Sequence, residues 1–81
     1  MLTIYGMMIC PDCAECCEAL DKAGIAYEFL DFGEKTQNLK DFLKLRDGNP
    51  LFDNIRAEGN IGIPCIRRED GSVTLDWKEV M

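Results

Sequence analysis

The sequence predicts a single α/β domain, over residues 1–81, in which helices pack on a four-stranded mixed sheet. The first observation is the length, because 81 residues suffice for one domain with a modest core. The second is the alternation of β-prone and helical segments along the first 46 residues, which is typical of strands joined by crossover helices. The third is the Asp70-Gly71 pair between two short apolar runs, a frequent turn of antiparallel hairpins.

The N-terminal half predicts a β-α-β unit followed by a second helix. Residues 2–5 and 25–31 are β-prone runs. Between them, residues 11–23 place cysteine and apolar side chains at three- and four-residue spacings, which predicts a helix. Pro11 suits its first position, where a missing N–H costs nothing. A crossover helix makes the two strands parallel, and residues 36–46 predict the second helix.

The C-terminal half predicts a short third helix and a hairpin. Asn49-Pro50 is typical of a helix cap followed by proline at the first helical position, so we expect a helix over residues 50–58. Residues 63–68 and 72–77 predict two antiparallel strands joined at the Asp-Gly turn. The predicted order is therefore β-α-β-α-(α)-β-β.

Charge and composition exclude several classes of function. The net charge is −6, from 15 acidic and 9 basic residues, which disfavours nucleic acid and anionic membranes as partners. No apolar run has the length of a transmembrane helix. The N-terminal residues lack a basic leader with an apolar segment, so we expect a cytoplasmic protein whose thiols stay reduced. We also expect a monomer.

Two of the five cysteines lie where a reactive thiol is favoured. Cys10 and Cys13 enclose two residues at the junction of the first strand and first helix. Free amide groups and the helix dipole at a helix start favour a thiolate, although Asp12, Glu15 and Glu18 oppose it. We expect Cys10 to be exposed and to attack a disulfide. Cys13, one turn further on and on the inner side, would then resolve the mixed disulfide.

The other three cysteines admit two interpretations. Cys16 and Cys17 lie on the inner face of the predicted helix and are expected mainly to pack in the core, with an auxiliary resolving thiol or a metal ligand as the alternative. Cys65 directly follows Pro64. Because strand side chains alternate between faces, Cys65 packs in the core if its side chain points inward.

Three functions compete at this stage. The leading hypothesis is a dithiol reductase or redox carrier, an enzyme that needs no metal or other bound cofactor. The alternative is a thiolate metal or Fe–S binding module, in which Cys10, Cys13 and Cys65 act with Cys16 or Cys17. The C-x2-C-x2-C spacing resembles that of ferredoxins, but no Cys-Pro follows it. A third possibility is a catalytically idle interaction module.

Over essentially its whole length the chain resembles the glutaredoxin branch of the thioredoxin superfamily. The resemblance rests on Ile4-Tyr5 leading to Cys10-Pro11-Asp12-Cys13, and on Ile63-Pro64 leading into the third strand. It implies a thioredoxin fold, Cys10 as attacking thiol and Cys13 as resolving thiol. It also implies that Pro64 is cis beside the pair, and that Pro11, Ile63 and Pro64 bind substrate. Because Cys65 follows Pro64, the family geometry would bring it near the pair as an auxiliary thiol that modulates the site, which is the alternative to packing in the core.

The resemblance also implies the substrates and the electron donor, and the differences from the family pattern bear on the use of glutathione. The expected substrates are protein or low-molecular-weight disulfides, with glutathione or a reductase as electron donor. Many glutaredoxins carry a lysine before the first cysteine and a Gly-Gly turn with an aspartate near the C-terminus. This chain has Met7-Met8-Ile9 and the stretch 73–77 instead. We therefore expect weak glutathione dependence, with glutathione as a candidate co-substrate.

Overall fold

The structure, a computed structural model, describes residues 1–81 and contains four strands and three α-helices. In chain order these are β1 (Leu2–Gly6), α1 (Pro11–Lys22), β2 (Tyr27–Asp31), α2 (Thr36–Arg46), α3 (Asp53–Ala57), β3 (Cys65–Arg67) and β4 (Val73–Thr74). Short 3-10 helices occupy Pro50–Phe52, directly before α3, and Trp77–Val80. No helix is both long enough and apolar enough to cross a membrane.

The four strands form one mixed sheet in the order β2-β1-β3-β4. β1 runs parallel to β2, with Leu2 opposite Tyr27. It runs antiparallel to β3, with Tyr5 opposite Cys65, and β3 is antiparallel to β4. The predicted α/β class, the parallel first pair and the antiparallel last pair are confirmed.

The predicted start of the second strand is wrong by two residues, and its predicted end at Asp31 is confirmed. β2 begins at Tyr27 rather than at residue 25. The Ile25 N–H donates to the Leu20 carbonyl at 3.0 Å, so the backbone of residue 25 pairs with the last turn of α1 and not with a neighbouring strand. Gly24, whose φ is +71°, makes the left-handed turn between α1 and β2.

The hairpin forms where it was predicted, but its strands are shorter. The Arg68 N–H donates to the Ser72 carbonyl at 2.8 Å, closing the loop that contains Asp70-Gly71. β4 has only two residues, because the Asp76 N–H donates to the Thr74 hydroxyl at 3.1 Å and turns the chain away. The strand predicted over residues 72–77 therefore ends early, and an unpredicted 3-10 helix follows.

The sheet separates two apolar clusters, because neighbouring residues of β1 point to opposite faces. Ile4 packs with Cys16 and Leu20 of α1 and with Ile66. Tyr5 packs on the other face, in a cluster completed by Phe42 of α2, Phe52 and Cys65. The side chains of α1 and α2 therefore cover opposite faces, and the start of α1 lies at the end of the central strand.

Candidate functional site

Cys10 lies at the start of α1, as the sequence predicts. It is the N-cap residue, with extended backbone angles and no side-chain cap. Its N–H donates to the Met7 carbonyl at 3.0 Å, and its carbonyl accepts from the Ala14 N–H at 3.1 Å. Pro11 occupies the first helical position. The Cys10 side chain is half-buried, which leaves its sulfur within reach of a substrate.

Cys13 lies one turn further on and is fully buried. Burial raises the pKa of Cys13 to about 12, and negative charge on Cys10 acts in the same direction. A hydrogen bond from the Met7 backbone to the Cys13 sulfur lowers the pKa, against those effects. The side chains of Cys10 and Cys13 are therefore neighbours. Cys13 keeps its proton in the interior, whereas Cys10 is only half-buried.

Gly6 allows Cys13 to pack against the end of β1. A methyl group added at Gly6 would lie 2.6 Å from the Cys13 Sγ, which is much shorter than a van der Waals contact. The role of Gly6 did not emerge from the sequence. Its position, at the last residue of β1 and four residues before Cys10, is the signal that would have indicated it.

Hydrogen bonds to Asp31 hold the loop that precedes Cys10. Its carboxylate accepts a hydrogen bond from the Met8 N–H at 3.1 Å and another from the Gly33 N–H at 2.7 Å. The Asp31 carbonyl accepts from the Asn38 side chain at 2.8 Å. The end of β2 thus holds the loop of residues 7–9. This role was also missed, because no local motif connects residues 23 positions apart.

Cys16 and Cys17 lie in the interior next to the pair. Cys16 is fully buried between α1 and the sheet, and burial raises its pKa to about 11. Cys17 is also buried, and this burial raises its pKa. The hydroxyl of Tyr27, which packs on the same cluster as Cys16, donates to Asp21 at 2.8 Å. Both cysteines occupy the core positions that the helical pattern predicts.

Cys65 is not brought to the Cys10–Cys13 pair. It is fully buried in the cluster with Tyr5, Phe42 and Phe52, on the face of the sheet opposite α1. Burial alone raises its pKa to about 12, without a contribution from any neighbouring charge. Of the two alternatives for this residue, the structure places it in the core.

The cysteines do not converge into a metal site. No group of three or more histidine, cysteine, aspartate or glutamate side chains is arranged to hold a metal ion. The physical reason is that Cys65 and the sulfurs of α1 lie on opposite faces of the sheet. The four-thiolate set considered from the sequence would require the domain to rearrange.

The predicted substrate-binding residues border the pair. The Ile63–Pro64 peptide bond is cis, as the resemblance implies. No backbone hydrogen bond within the chain uses the N–H or the carbonyl of Ile63. Ile63 lines a groove together with Cys10, and Pro64 lines a smaller neighbouring pocket with Asp12. The N–H and the carbonyl of Ile63 are therefore available to a ligand in the groove that Cys10 lines.

The groove beside Cys10 is open and mainly apolar. Its volume is about 740 Å³, and its walls come from the loop before α1, from α3 and from the segment 59–63. Asp12 is the sole charged side chain that lines it. The neighbouring pocket, of about 280 Å³, adds the carboxylates of Glu15 and Asp76 and a single cation, Lys78. The surroundings of the pair are thus apolar with a negative border.

Comparison with known proteins gives one informative match. The sequence is 40% identical over 71 residues to a protein of Haemophilus influenzae (strain ATCC 51907 / DSM 11121 / KW20 / Rd), covering 88% of this chain and 83% of the relative. The chain belongs to the family of that protein. The relative is named an uncharacterized protein, so this match indicates no activity. No family model matches the chain, and no solved structure matches it significantly.

Proposed function

We propose that this protein is a glutaredoxin-like thiol–disulfide oxidoreductase of thioredoxin fold that acts through Cys10 and Cys13. The observation that carries the proposal is the half-buried Cys10 at a helix start, with the fully buried Cys13 one helical turn further on. The strand order and the helices on both faces of the sheet support the fold. Five free thiols suit a reducing cytoplasm, where the chain would act as a monomer.

The first step is attack by Cys10 on a substrate disulfide. The Cys10 thiolate forms a bond to one substrate sulfur, the substrate S–S bond breaks, and the second sulfur leaves as a thiolate that takes a proton from water. Free amide groups at the start of α1 favour the attacking anion. The buried Cys13 cannot compete for the substrate, because its sulfur has no exposed surface.

The second step is resolution by Cys13. Cys13 transfers its proton to the departing thiolate and bonds to the Cys10 sulfur, which releases the reduced substrate. The protein dithiol has then lost two electrons and two protons, and the substrate disulfide has gained them. Two molecules of glutathione, or the dithiol of a reductase, would return the pair to its reduced form.

Substrate binding is proposed at Ile63. An extended chain beside Cys10 can pair with the free N–H and carbonyl of Ile63 and add to the sheet side of the groove. Such pairing is independent of the substrate's side chains, which suits a protein that must accept cysteines in different sequences. Pro64 lines the smaller neighbouring pocket, whereas Pro11, at the exposed start of α1, lines neither the groove nor that pocket.

The proposal is tested with the reduced protein and one equivalent of bis(2-hydroxyethyl) disulfide, a small uncharged substrate. The wild type should release both halves of the substrate as 2-mercaptoethanol and lose two thiols. Cys13→Ser should stop after the first step, with half of the substrate bound to Cys10. Mass spectrometry of the intact protein distinguishes these products.

Two further variants make the test specific. Cys10→Ser should abolish the rapid reaction, whereas Cys17→Ala, which removes another cysteine of α1, should react like the wild type. The proposal fails if Cys10→Ser keeps the wild-type rate, or if Cys13→Ser still releases both halves of the substrate.

A further inference from the structure

Two isoleucines stand out at the groove because they are exposed beside the reactive thiol. Ile9 is 85% exposed and Ile61 is 51% exposed, and both line the groove with Cys10. Ile55, Ile63 and Leu75 continue this apolar lining inward. Single exposed apolar side chains are common, but an apolar patch that borders a functional group marks a binding surface. We call Ile9 and Ile61 the apolar rim.

The charge around the groove selects against an anionic ligand. Asp12 lines both the groove and the smaller pocket, where Glu15 and Asp76 face a single Lys78. The whole chain carries a net charge of −6. Glutathione has two carboxylates and one ammonium group, so this border repels it. A segment with a lysine or arginine is attracted instead.

We propose that the groove binds a protein disulfide, one cysteine of which lies in an extended segment with apolar neighbours and a nearby lysine or arginine. This proposal rests on the proposed function and deepens it by naming the substrate class. The apolar neighbours cover Ile9 and Ile61, and the cation approaches Asp12 and Glu15. Cys10 attacks the segment's cysteine, the partner sulfur leaves, and Cys13 then releases the segment as a thiol, the protein dithiol supplying both electrons.

The probes are peptides of equal length, each with one central cysteine joined by a disulfide to 5-thio-2-nitrobenzoate. One peptide has leucine and valine beside the cysteine and a lysine nearby. The second replaces leucine and valine with serine, and the third replaces lysine with glutamate. Glutathione joined to the same group is the fourth probe. The release of thionitrobenzoate by the reduced protein gives a second-order rate constant for each.

The apolar–basic peptide should react fastest. Replacing its apolar residues with serine should slow the reaction roughly fivefold, the effect of partly burying one or two large apolar side chains. Replacing lysine with glutamate should slow it about threefold at low salt, and the difference should vanish at high salt. Reaction of the glutathione probe as fast as the apolar–basic peptide would overturn the proposal.

Matched variants assign these preferences to the groove. Ile9→Ser and Ile61→Ser should reduce the preference for apolar peptides, whereas Leu51→Ser, at a residue that is 44% exposed and lies outside the groove, should not. Equal preferences in Leu51→Ser and in the two rim variants would overturn the proposal.

A second pair of variants tests the preference for a positively charged residue in the substrate. Glu15→Lys should reverse the preference for lysine over glutamate in the peptide. Glu34→Lys changes the net charge equally at an exposed residue outside both pockets, and it should keep the preference. Equal effects of the two substitutions would show a general effect of net charge and would overturn this assignment.

Bis(2-hydroxyethyl) disulfide separates the failure of this inference from that of the function. This small substrate carries no charge and no large apolar side chain, so its reaction should depend neither on the apolar rim nor on the carboxylates around the groove. A protein that reduces it but shows no preference among the peptides refutes the groove assignment alone. A protein that reduces neither refutes the proposed function.

Discussion

Gly6→Ala should destabilise the reduced protein, because the new methyl group would lie 2.6 Å from the Cys13 Sγ and 3.5 Å from the Phe29 Cζ. The Phe29 contact is an ordinary one, so the strain falls on Cys13, which is fully buried. Overpacking of this kind costs about 1–3 kcal/mol. A domain of this length has a free energy of unfolding of roughly 4–12 kcal/mol, so the melting temperature should fall by several degrees.

A double-mutant cycle shows whether the clash is with the sulfur. Cys13→Ala removes Sγ and leaves the Cys13 Cβ, which lies 3.6 Å from the added methyl group. Gly6→Ala should therefore cost little in the Cys13→Ala background, with a coupling free energy of at least about 1 kcal/mol. The measurement is urea unfolding in excess reductant for all four proteins. Equal costs of Gly6→Ala in the two backgrounds would refute the packing assigned to the pair.

Three further outcomes are expected. Substoichiometric iodoacetamide should label Cys10 first, since the other four cysteines are at most 3% exposed; peptide mapping that finds another cysteine labelled first contradicts the site. The pKa of Cys65 rises in the folded state from 9.0 to about 12, so its contribution to stability is complete below pH 9 and is lost as the pH rises toward 12. Above pH 9 the free energy of unfolding should fall less steeply with pH in Cys65→Ala than in the wild type, with slopes that differ by about 1.4 kcal/mol per pH unit. Parallel curves for the two proteins would contradict the burial of the Cys65 thiol. Asp31→Ala should lower the free energy of unfolding by about 1–2 kcal/mol and slow the reaction of Cys10. Asp47→Ala, the control at an exposed carboxylate, should do neither. Equal denaturant midpoints and equal reaction rates in the two variants would contradict the role assigned to Asp31.

The sequence predicted those parts of the fold that local patterns determine. The spacing of apolar residues located α1 and α2, and Asp70-Gly71 located the hairpin turn. The 3-10 helix Trp77–Val80 was missed because four residues are too few for a periodic pattern. Trp77 and Val80 pack on the cluster of Ile4 and its neighbours, and such tertiary contacts are not visible in a local pattern.

The same distinction applies to the site. The spacing of Cys10 and Cys13 after a strand located the pair, because a helix start is recognisable from sequence. The positions of Gly6 and Asp31 depend on how β1 and β2 lie against α1 and the loop before it, so their roles required the structure. The face on which Cys65 lies required the register that places Tyr5 opposite it.

The central claim is that Cys10 and Cys13 form the redox pair, and disulfide mapping tests it most directly. The reduced protein is oxidised with one equivalent of bis(2-hydroxyethyl) disulfide, its remaining thiols are blocked, and its peptides are mapped without reduction. We predict a single intramolecular bond between Cys10 and Cys13, with Cys16, Cys17 and Cys65 recovered as blocked thiols. A bond that joins Cys10 to any other cysteine, or one that leaves Cys10 out, would contradict the account.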